Sequence, residues 1–224
     1  PRMAVAQKGG EEYKMARYTG PVCRLCRRFG EKLMLKGEKC PTPKCPLEKR
    51  NTPPGGRTLT RRRSGISERG LQLREKQKIR ISYGVLERQL RRFFSEAKKD
   101  PSNTGEILLT LLERRLDNVV YRAGFADSRA QARQIVRHGH ILVNSRKTNI
   151  PSFLVKAGDS IKWREASKKT EYYKRVAEEI EGKVIPNWLS IDKESMTSKV
   201  LKLPGKDDIE AGFNAKAIVE YYSR

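Results

Sequence analysis

The sequence predicts an α+β fold, in which a mainly helical domain carries an N-terminal four-cysteine knuckle and is joined to a small helix–helix–short-strand module. Three observations predict it. All four cysteines lie within residues 23–45, helical periodicity dominates from residue 68 to about residue 137, and apolar residues alternate with polar ones after residue 139. A chain of 224 residues is long enough for one large or two small domains.

Basic residues dominate the charge of the chain. It has 49 Lys and Arg against 26 Asp and Glu, which gives a formal net charge of +23. Roughly 2 to 8 unit charges are enough to keep a small domain soluble, so the excess predicts a polyanionic partner that is bound with release of counterions. Nucleic acid is the expected polyanion, and an anionic membrane surface is the main competitor.

Neither membrane insertion nor export is expected. The apolar run Ile107–Leu109, even with Leu111-Leu112 beyond Thr110, is far shorter than the roughly 20 residues that span a bilayer. Residues 1–14 lack the apolar stretch of a signal peptide. We therefore expect no membrane partner, and a reducing compartment in which cysteines bind metal more often than they pair.

The cysteines have the spacing of a metal-binding knuckle. They form a C-x-x-C pair and a C-x-x-x-x-C pair separated by thirteen residues, namely Cys23, Cys26, Cys40 and Cys45. Four thiolates satisfy the tetrahedral preference of zinc, so the predicted cofactor is one structural zinc ion. The neighbouring cations, which are expected to lower the pKa of the thiols, are Arg24, Arg27, Arg28 and Lys44.

Two alternatives to zinc stay open. The cysteines can form two disulfides or remain four buried free thiols. An iron–sulfur cluster also takes four thiolates, and Cys45-Pro46 is similar to the C-P end of cluster motifs. The sequence does not separate zinc from such a cluster.

The chain before the first helix has few core-forming residues. We expect a disordered leader over residues 1–15, the knuckle over 16–50, and a basic loop over 51–67 that is rich in Pro, Gly, Thr and Arg. The first helix, over residues 71–81, is polar almost all round and needs outside support, which RNA phosphates can supply. The second helix, Leu86–Ala97, has apolar residues along one face and basic residues on the opposite face.

The following segment is predicted as one helix from Thr104 to Ala123. Its apolar residues lie on two faces, so it is expected to serve two cores, with a domain boundary near its middle. Ser128 is a typical N-cap for the next helix, and Gly139 is a typical residue just beyond a helix C-terminus.

Short strands are predicted next. His140–Asn144 has the pattern of a strand, Ser145-Arg146 that of a turn and residues 147–150 that of a returning strand, and residues 160–163 form a further strand. An amphipathic helix is expected over residues 168–181.

The rest of the chain completes the domain assignment. Residues 186–203 are expected to be irregular, and the apolar chain end is expected to dock on the core. The predicted helical domain therefore comprises residues 68–110 with 187–224, and the predicted module with its following helix comprises residues 111–186.

Clustered basic residues are the candidate RNA contacts. Arg129, Arg133 and Arg137, at i, i+4 and i+8, are expected to follow a phosphate backbone through bidentate contacts that Lys cannot make. A solvated face is the alternative for any one of them. The other candidates outside the basic loop are Arg69, Arg74, Lys76, Lys78, Arg80, Arg114, Arg115, Arg122, His138 and Arg146.

No catalytic residues are predicted. The chain has no Ser/His/Asp or Cys/His constellation and no glycine-rich phosphate loop. His138 and His140 flank Gly139 and lack the further ligands that a metal site would need.

Four long motifs resemble one known family. They are MARYTGPVCRLCRRFGEK from Met15, LQLREKQKIRISYGVLERQLR from Leu71, LLERRLDNVVYRAGFADSRAQARQIVRHGHILVN from Leu111, and the closing IVEYYSR. In this order and spacing they look like the bacterial small-subunit ribosomal protein S-four family, in its zinc-bearing, four-cysteine type. The resemblance runs from about Met15 to Arg224.

The resemblance implies a structural, non-enzymatic protein of the small ribosomal subunit, located in the cytoplasm. Such a protein is a primary binder of small-subunit ribosomal RNA, nucleates assembly of its 5′ domain, and influences translational accuracy together with ribosomal protein S-five. No small-molecule substrate is implied, and some relatives repress their own operon.

The resemblance also implies particular sites. The four cysteines fall on the zinc-knuckle positions, and Leu111 to about Trp163 looks like the RNA-binding module named after the family. Arg61, Arg62 and Arg63 match roughly the basic stretch that contacts messenger RNA near the entry path.

The chain departs from the family pattern in two turns. Pro53–Arg57 replaces a PGQHG-like turn, and Asn144-Ser145 replaces the usual Asn-Gly. Because a type I′ turn needs positive φ at both central residues, Ser145 is expected to strain it.

Two other classes of function are weighed against the ribosomal one. An RNA-modifying enzyme with the same module, such as a pseudouridine synthase, needs a catalytic domain with a positioned Asp, for which the remaining segments leave no room. A zinc-containing DNA-binding regulator is compatible with the cysteine spacing, but the sequence has no helix-turn-helix pattern or dimer zipper.

Overall fold

The computed structural model of the chain describes residues 5–8, 11–14, 18, 20–50, 52–55, 66–100, 103–205, 208–209 and 212–223. The architecture is α+β, as expected, with two large hydrophobic cores and a small third one. None of the helices in the described part is both long and apolar enough to cross a membrane.

The N-terminal segment forms a hairpin where a disordered leader was expected. Strand β1 (Val5–Lys8) pairs antiparallel with β2 (Glu11–Lys14). The leader prediction is therefore wrong for these residues. The intervening sequence, Gly9-Gly10, is a pair typical of tight hairpin connections, and the prediction gave that signal no weight.

The cysteine segment folds into two short helices with a single 3-10 turn between them. Helix α1 (Cys23–Phe29) ends at Gly30, whose backbone has the left-handed φ of 66°. The 3-10 turn spans Gly37–Lys39, and α2 (Pro46–Lys49) begins with the proline that suits a first helical position. The small core beneath consists of Cys26, Phe29 and Leu33, with Leu35 and Ile81 packed against it.

Four helices build the helical core. They are α3 (Glu68–Ser82), α4 (Glu87–Ala97), α5 (Thr104–Glu113) and, from the chain end, α9 (Ala215–Ser223). Ser67 caps α3 by accepting a hydrogen bond from the Gly70 amide at 3.2 Å. The buried Ile218 of α9 packs among residues of α3, α4 and α5, so the prediction that the chain end docks is confirmed.

The predicted helix from Thr104 to Ala123 is wrong, because the chain breaks at Arg114–Arg115. Arg115 is extended, with ψ 136°, and forms an isolated bridge to Leu154. Helix α6 (Leu116–Arg122) starts beyond it. The break lets α5 pack in the helical core while α6 packs in a second core, which accounts for the two apolar faces.

The second core belongs to the module. Helices α6 and α7 (Arg129–Arg137) pack on an antiparallel five-stranded sheet of order β4-β3-β5-β7-β6, which α8 (Glu171–Glu179) also contacts. The strands are β3 (Ile141–Val143), β4 (Arg146–Lys147), β5 (Ser160–Trp163), β6 (Leu189–Asp192) and β7 (Thr197–Val200). As predicted, Ser128 caps α7 by accepting from the Gln131 amide.

The β6–β7 hairpin corrects the domain assignment. Residues 186–203 were expected to be irregular, and those from 187 on to belong to the helical domain, yet β7 pairs with β5 and completes the module's sheet. Trp188, Leu189 and Met196 are buried in the module core. The assignment is therefore wrong for residues 187–200. The sequence did not reveal these strands, because each has only four residues and the polar Ser198 is buried, so polar and apolar residues alternate little.

The tight turn between β3 and β4 lies one residue earlier than expected. Its central residues are Asn144 (φ 49°) and Ser145 (φ 67°), and Arg146 already pairs with Val143. Both φ values are positive, as a type I′ turn requires. The Asn144 side chain donates to Asp159 Oδ1 at 2.7 Å, and its carbonyl accepts from the Ser160 amide at 2.9 Å, so it stabilises the turn that Ser145 strains.

Candidate nucleic-acid interface and cysteine cluster

The four cysteines form a cluster of free thiols. Cys26, Cys40 and Cys45 are buried and Cys23 is half-buried. The Lys36 amide donates to Cys40 Sγ at 3.3 Å. Burial raises the pKa of Cys26 and the other three thiols raise it further, although a backbone hydrogen bond at Leu33 opposes this. The expected lowering by nearby cations is therefore wrong for Cys26, where burial dominates.

The thiols fit a soft metal ion by chemistry. Cys26 interacts electrostatically with all three other cysteines, which places the four in one cluster. Among the described residues, the group whose ligand atoms all lie within 4.8 Å of one another is Glu38, Asp127 and Glu179, so the cysteine sulfurs are spaced more widely than that. Binding would have to draw the sulfurs together.

Helix α3 buries two of the basic residues predicted to contact RNA. Lys76 Nζ lies 2.8 Å from Glu87 Oε1 and 4.8 Å from the centroid of the Tyr221 ring. Lys78 donates to the Gly212 carbonyl at 2.5 Å and pairs with Glu31. Both side chains already have partners within the protein, and their contact with RNA stays a prediction.

The other basic residues of α3 divide between inner and outer positions. Arg74 donates to the Phe29 carbonyl in the knuckle and Arg80 is half-buried, whereas Arg69 is exposed. The helix that looks polar all round in sequence is thus supported by protein partners, namely the knuckle and α9. It does not need RNA phosphates for support.

A buried carboxylate organises the junction between the two cores. Glu113 is 0% exposed and accepts from Tyr83 Oη at 2.5 Å, from Asn118 Nδ2 at 2.6 Å and from Arg122 Nη2 at 2.8 Å. Burial alone would raise the pKa of Glu113, but the hydrogen bond and charge of Arg122, with Arg129 and Tyr83, hold it below its ordinary value. The half-buried Arg122 is therefore bound inside the protein.

A second ionic group lies beside it. Arg115, 0% exposed, donates from Nε and Nη2 to the two carboxylate oxygens of Asp117 at 3.0 and 2.7 Å. Arg133 Nη1 reaches the same carboxylate at 3.0 Å. The guanidinium of Arg115 is thus enclosed at the helix break, and its contact with RNA stays a prediction. Arg114 is half-buried and donates to the Val155 carbonyl at 3.0 Å.

The predicted arginine row of α7 is not a continuous phosphate-binding edge. Arg129 is buried and donates to Asn118 Oδ1 at 2.7 Å, the side chain of Arg133 is 20% exposed, and Arg137 is exposed. Eight residues of an α-helix turn about 80° past two full turns. The row therefore rotates from the core to solvent, and the predicted RNA contact of Arg129 stays a prediction for a side chain that is buried here.

The exposed cations of the module are the remaining RNA candidates there. Arg137 and His138 lie at the end of α7, and Arg146 follows the β3–β4 turn. His140 is half-buried, with Nδ1 2.8 Å from Ser167 Oγ. Burial lowers the pKa of His140, and the positive charges of His138 and Arg164 lower it further.

Sequence reasoning missed a basic face on the sheet. The register places Lys147 and Lys162 opposite Leu142 on neighbouring strands, and Lys199 opposite Ser160. These residues point away from the buried Ile161 and Trp163. Recognising Lys199 would have required the β6–β7 hairpin. Arg61, Arg62 and Arg63, the predicted messenger contacts, lie outside the described residues.

Comparison with known proteins identifies the family. Residues 17–113 match the ribosomal protein S4/S9 N-terminal domain and residues 114–161 match the S4 domain, so the two matches meet at the helix break. Over 94% of this chain and 100% of each relative, the chain is 59% identical to small ribosomal subunit protein uS4 of Dehalococcoides mccartyi and 51% identical to that of Thermus thermophilus. The chain belongs to the uS4 family.

Proposed function

We propose that this chain is a structural component of the small ribosomal subunit, and that it binds ribosomal RNA and nucleates assembly of the 5′ domain. The observation that supports the proposal is that buried and exposed basic side chains differ in their partners. Buried ones are paired with Glu113, Asp117 and Glu87 inside the protein, so the exposed ones leave a surface of excess positive charge. Such a surface suits phosphate contacts and recognition of RNA shape.

Family membership favours a structural protein over an RNA-modifying enzyme. The relatives are named as small ribosomal subunit proteins, and the match to them covers nearly the whole chain. It also weighs against the DNA-binding regulator. We place the protein in the cytoplasm, within the small subunit.

Binding to RNA tests the proposal directly. We expect the protein to bind the isolated 5′ domain of small-subunit ribosomal RNA more tightly than duplex DNA throughout a salt series from about 50 to 200 mM. Arg137→Gln and Arg146→Gln should each weaken RNA binding and reduce the slope of log affinity against log salt by about 1. Lys193→Gln, which removes one exposed charge from the β6–β7 turn, is the matched control. Equal affinity for duplex DNA and RNA would contradict the proposal.

Beyond ribosomal RNA, we propose two specific partners, ribosomal protein S-five and messenger RNA near the entry path. The family resemblance of the basic loop supports messenger contact by Arg61, Arg62 and Arg63. Crosslinking of messenger RNA to assembled subunits tests it, since replacement of all three by Gln should remove the crosslink to this protein. An unchanged crosslink would contradict the assignment.

We also propose one structural zinc ion on the cysteine cluster, held by Cys23, Cys26, Cys40 and Cys45. The ion would supply a tetrahedral crosslink, and the four thiols would supply its ligands. The burial of three thiols, the absence of a disulfide among the four and the amide donor to Cys40 support this. Metal analysis of purified protein should give about one zinc per chain, lost in Cys26→Ser. Iron with acid-labile sulfide would instead identify a cluster.

A further inference from the structure

An open cleft lies on the helical domain, away from the module. It has a volume of about 680 Å³ and is formed by three helices, α3, α4 and α9. Its lining includes Arg69 and Gln72 of α3, Arg91 of α4, Lys98 just after α4, and Tyr221 of α9. Apart from Arg69, none of them takes part in the function proposed above.

The cleft is lined by cations with little opposing charge. Arg91, Ser95 and Lys98 follow one another at i, i+4 and i+7, which places them on one face of α4, while Arg69 faces them from α3. Arg91 keeps 72% of its side chain exposed and lies 3.6 Å from Glu87. That carboxylate is already bound by Lys76, so the positive charge of Arg91 remains available to an anion.

An aromatic ring lies beside these cations. Tyr222 packs into the helical core, with its ring 4.8 Å from that of Phe94, and its hydroxyl donates to Glu87 at 2.9 Å. Tyr221 is half-buried at the cleft, with its ring at 82° to that of Tyr222. A tyrosine ring next to arginines and lysines is the usual platform on which single-stranded nucleic acids stack a base.

The floor of the cleft holds an unsatisfied polar group. Gln72 is 2% exposed, and its Nε2 donates to Glu220 Oε2 at 3.0 Å, which fixes the orientation of the amide. Its Oε1 is buried and accepts no hydrogen bond from any residue that the structure describes. A buried acceptor without a donor is costly, so the protein gains if a nucleobase amine or a ribose hydroxyl displaces the atoms that cover this oxygen and donates to it.

We propose that this cleft binds one nucleotide, with the phosphate on Arg69, Arg91 and Lys98 and the base on Tyr221. A volume of about 680 Å³ lies in the range of small-ligand sites, so the cleft suits a single nucleotide. The same chemistry is presented by an unstacked residue of an RNA strand and by a free nucleoside phosphate. The site is separate from the module and does not depend on how the module binds RNA.

Fluorescence anisotropy with a labelled single-stranded RNA tetranucleotide tests the proposal on the full-length protein. Tyr221→Leu should weaken binding about tenfold, whereas Tyr221→Phe keeps the ring and should bind nearly as wild type. Arg91→Gln, at an exposed position, should also weaken binding several-fold. Lys193→Gln, the control used above, removes an equal exposed charge and should leave tetranucleotide binding unchanged.

Competition identifies the source of the nucleotide. Displacement of the tetranucleotide by AMP or ATP at similar concentration would identify a site for free nucleotides, and displacement by unlabelled RNA alone would identify a site for an RNA strand. The proposal is overturned if neither ligand binds, or if Tyr221→Leu and Arg91→Gln bind the tetranucleotide as wild type does. The 5′-domain measurement tests another surface of the protein. An absence of selective binding to the 5′ domain would therefore reject the ribosomal proposal without contradicting the nucleotide site.

Discussion

The guanidinium carbon of Arg129 lies 4.7 Å from the centroid of the Tyr83 ring. Tyr83 follows the last residue of α3 in the helical domain, and Arg129 is the first residue of α7 in the module. The centroid of the Tyr121 ring in α6 lies at the same distance from that carbon. The cation thus contacts rings from both domains, which makes this contact one of the points that hold the domains together.

Replacing Arg129 should therefore destabilise the protein. Arg129→Ala removes the stacked cation and leaves the buried Asn118 Oδ1 without its donor, so we expect the free energy of unfolding to fall by about 2–4 kcal/mol. Arg137→Ala, two turns further along α7 and exposed, should change it by less than about 0.5 kcal/mol. Urea denaturation of both variants measures the difference. A loss equal to that of Arg137→Ala would show that the enclosed guanidinium contributes little.

Glu113 should make the stability of the junction depend on pH. Its folded-state pKa is held below the ordinary value of 4.5, so the stabilisation that it provides is fully present above that value and is lost as the pH falls through the lower one. Glu113→Gln lacks this carboxylate and should be less stable at pH 7 by about 3 kcal/mol.

The gap between wild type and Glu113→Gln should narrow as the pH is lowered from 5 towards 2. Other carboxylates with lowered pKa values, such as Glu87, titrate in both proteins and cancel in the comparison. Denaturant unfolding at a series of pH values measures the gap. A gap that stays constant down to pH 2 would mean that Glu113 is not the group whose protonation matters.

The sequence predicted the elements with strong periodicity and missed those that depend on tertiary contacts. The stripe of α4, the cap of α7 and the docked chain end follow from local patterns. The break at Arg114–Arg115 does not, since both residues favour helix. The ion pair of Arg115 with Asp117 and the bridge to Leu154 enforce that break, and both are visible only in the fold.

The predicted RNA contacts show the same limit. The sequence does not show whether a basic side chain faces solvent or a partner within the protein. Lys76 and Arg129 were therefore predicted as surface cations, although their anionic or aromatic partners lie far along the chain or in another helix. Lys199 was missed for the opposite reason, because its exposed face depends on pairing of β7 with β5.

Relieving the strained turn should stabilise the module. Ser145 has φ 67°, a conformation that costs an L-residue roughly 1 kcal/mol and glycine almost nothing. We expect Ser145→Gly to raise the free energy of unfolding by about 0.5–1 kcal/mol. Ser190→Gly, at an exposed position within strand β6, should lower it by a similar amount, because glycine weakens extended strands. The same sign for both substitutions, measured by urea denaturation, would argue against strain at Ser145.

Removing metal should unfold the knuckle and spare the module. The knuckle core consists of Cys26, Phe29 and Leu33, too few residues to fold without a crosslink, whereas the module has a large core of its own. Chelation, or Cys26→Ser, should therefore abolish amide-exchange protection over residues 20–50 and retain it in α7 and β5.

A contact between Gly37 and Asp127 links the knuckle to the module. Gly37, with φ 62°, lies against the Asp127 backbone so closely that a Cβ would approach the Asp127 carbonyl oxygen to 2.4 Å. Loss of this contact should raise amide exchange near Asp127. It should not unfold α7, because the Ser128 cap and the module core that hold this helix do not include the contact. Loss of protection throughout α7 and β5 on chelation would show instead that the knuckle and the module fold as one unit. Unchanged protection over residues 20–50 would show that the knuckle does not need a metal.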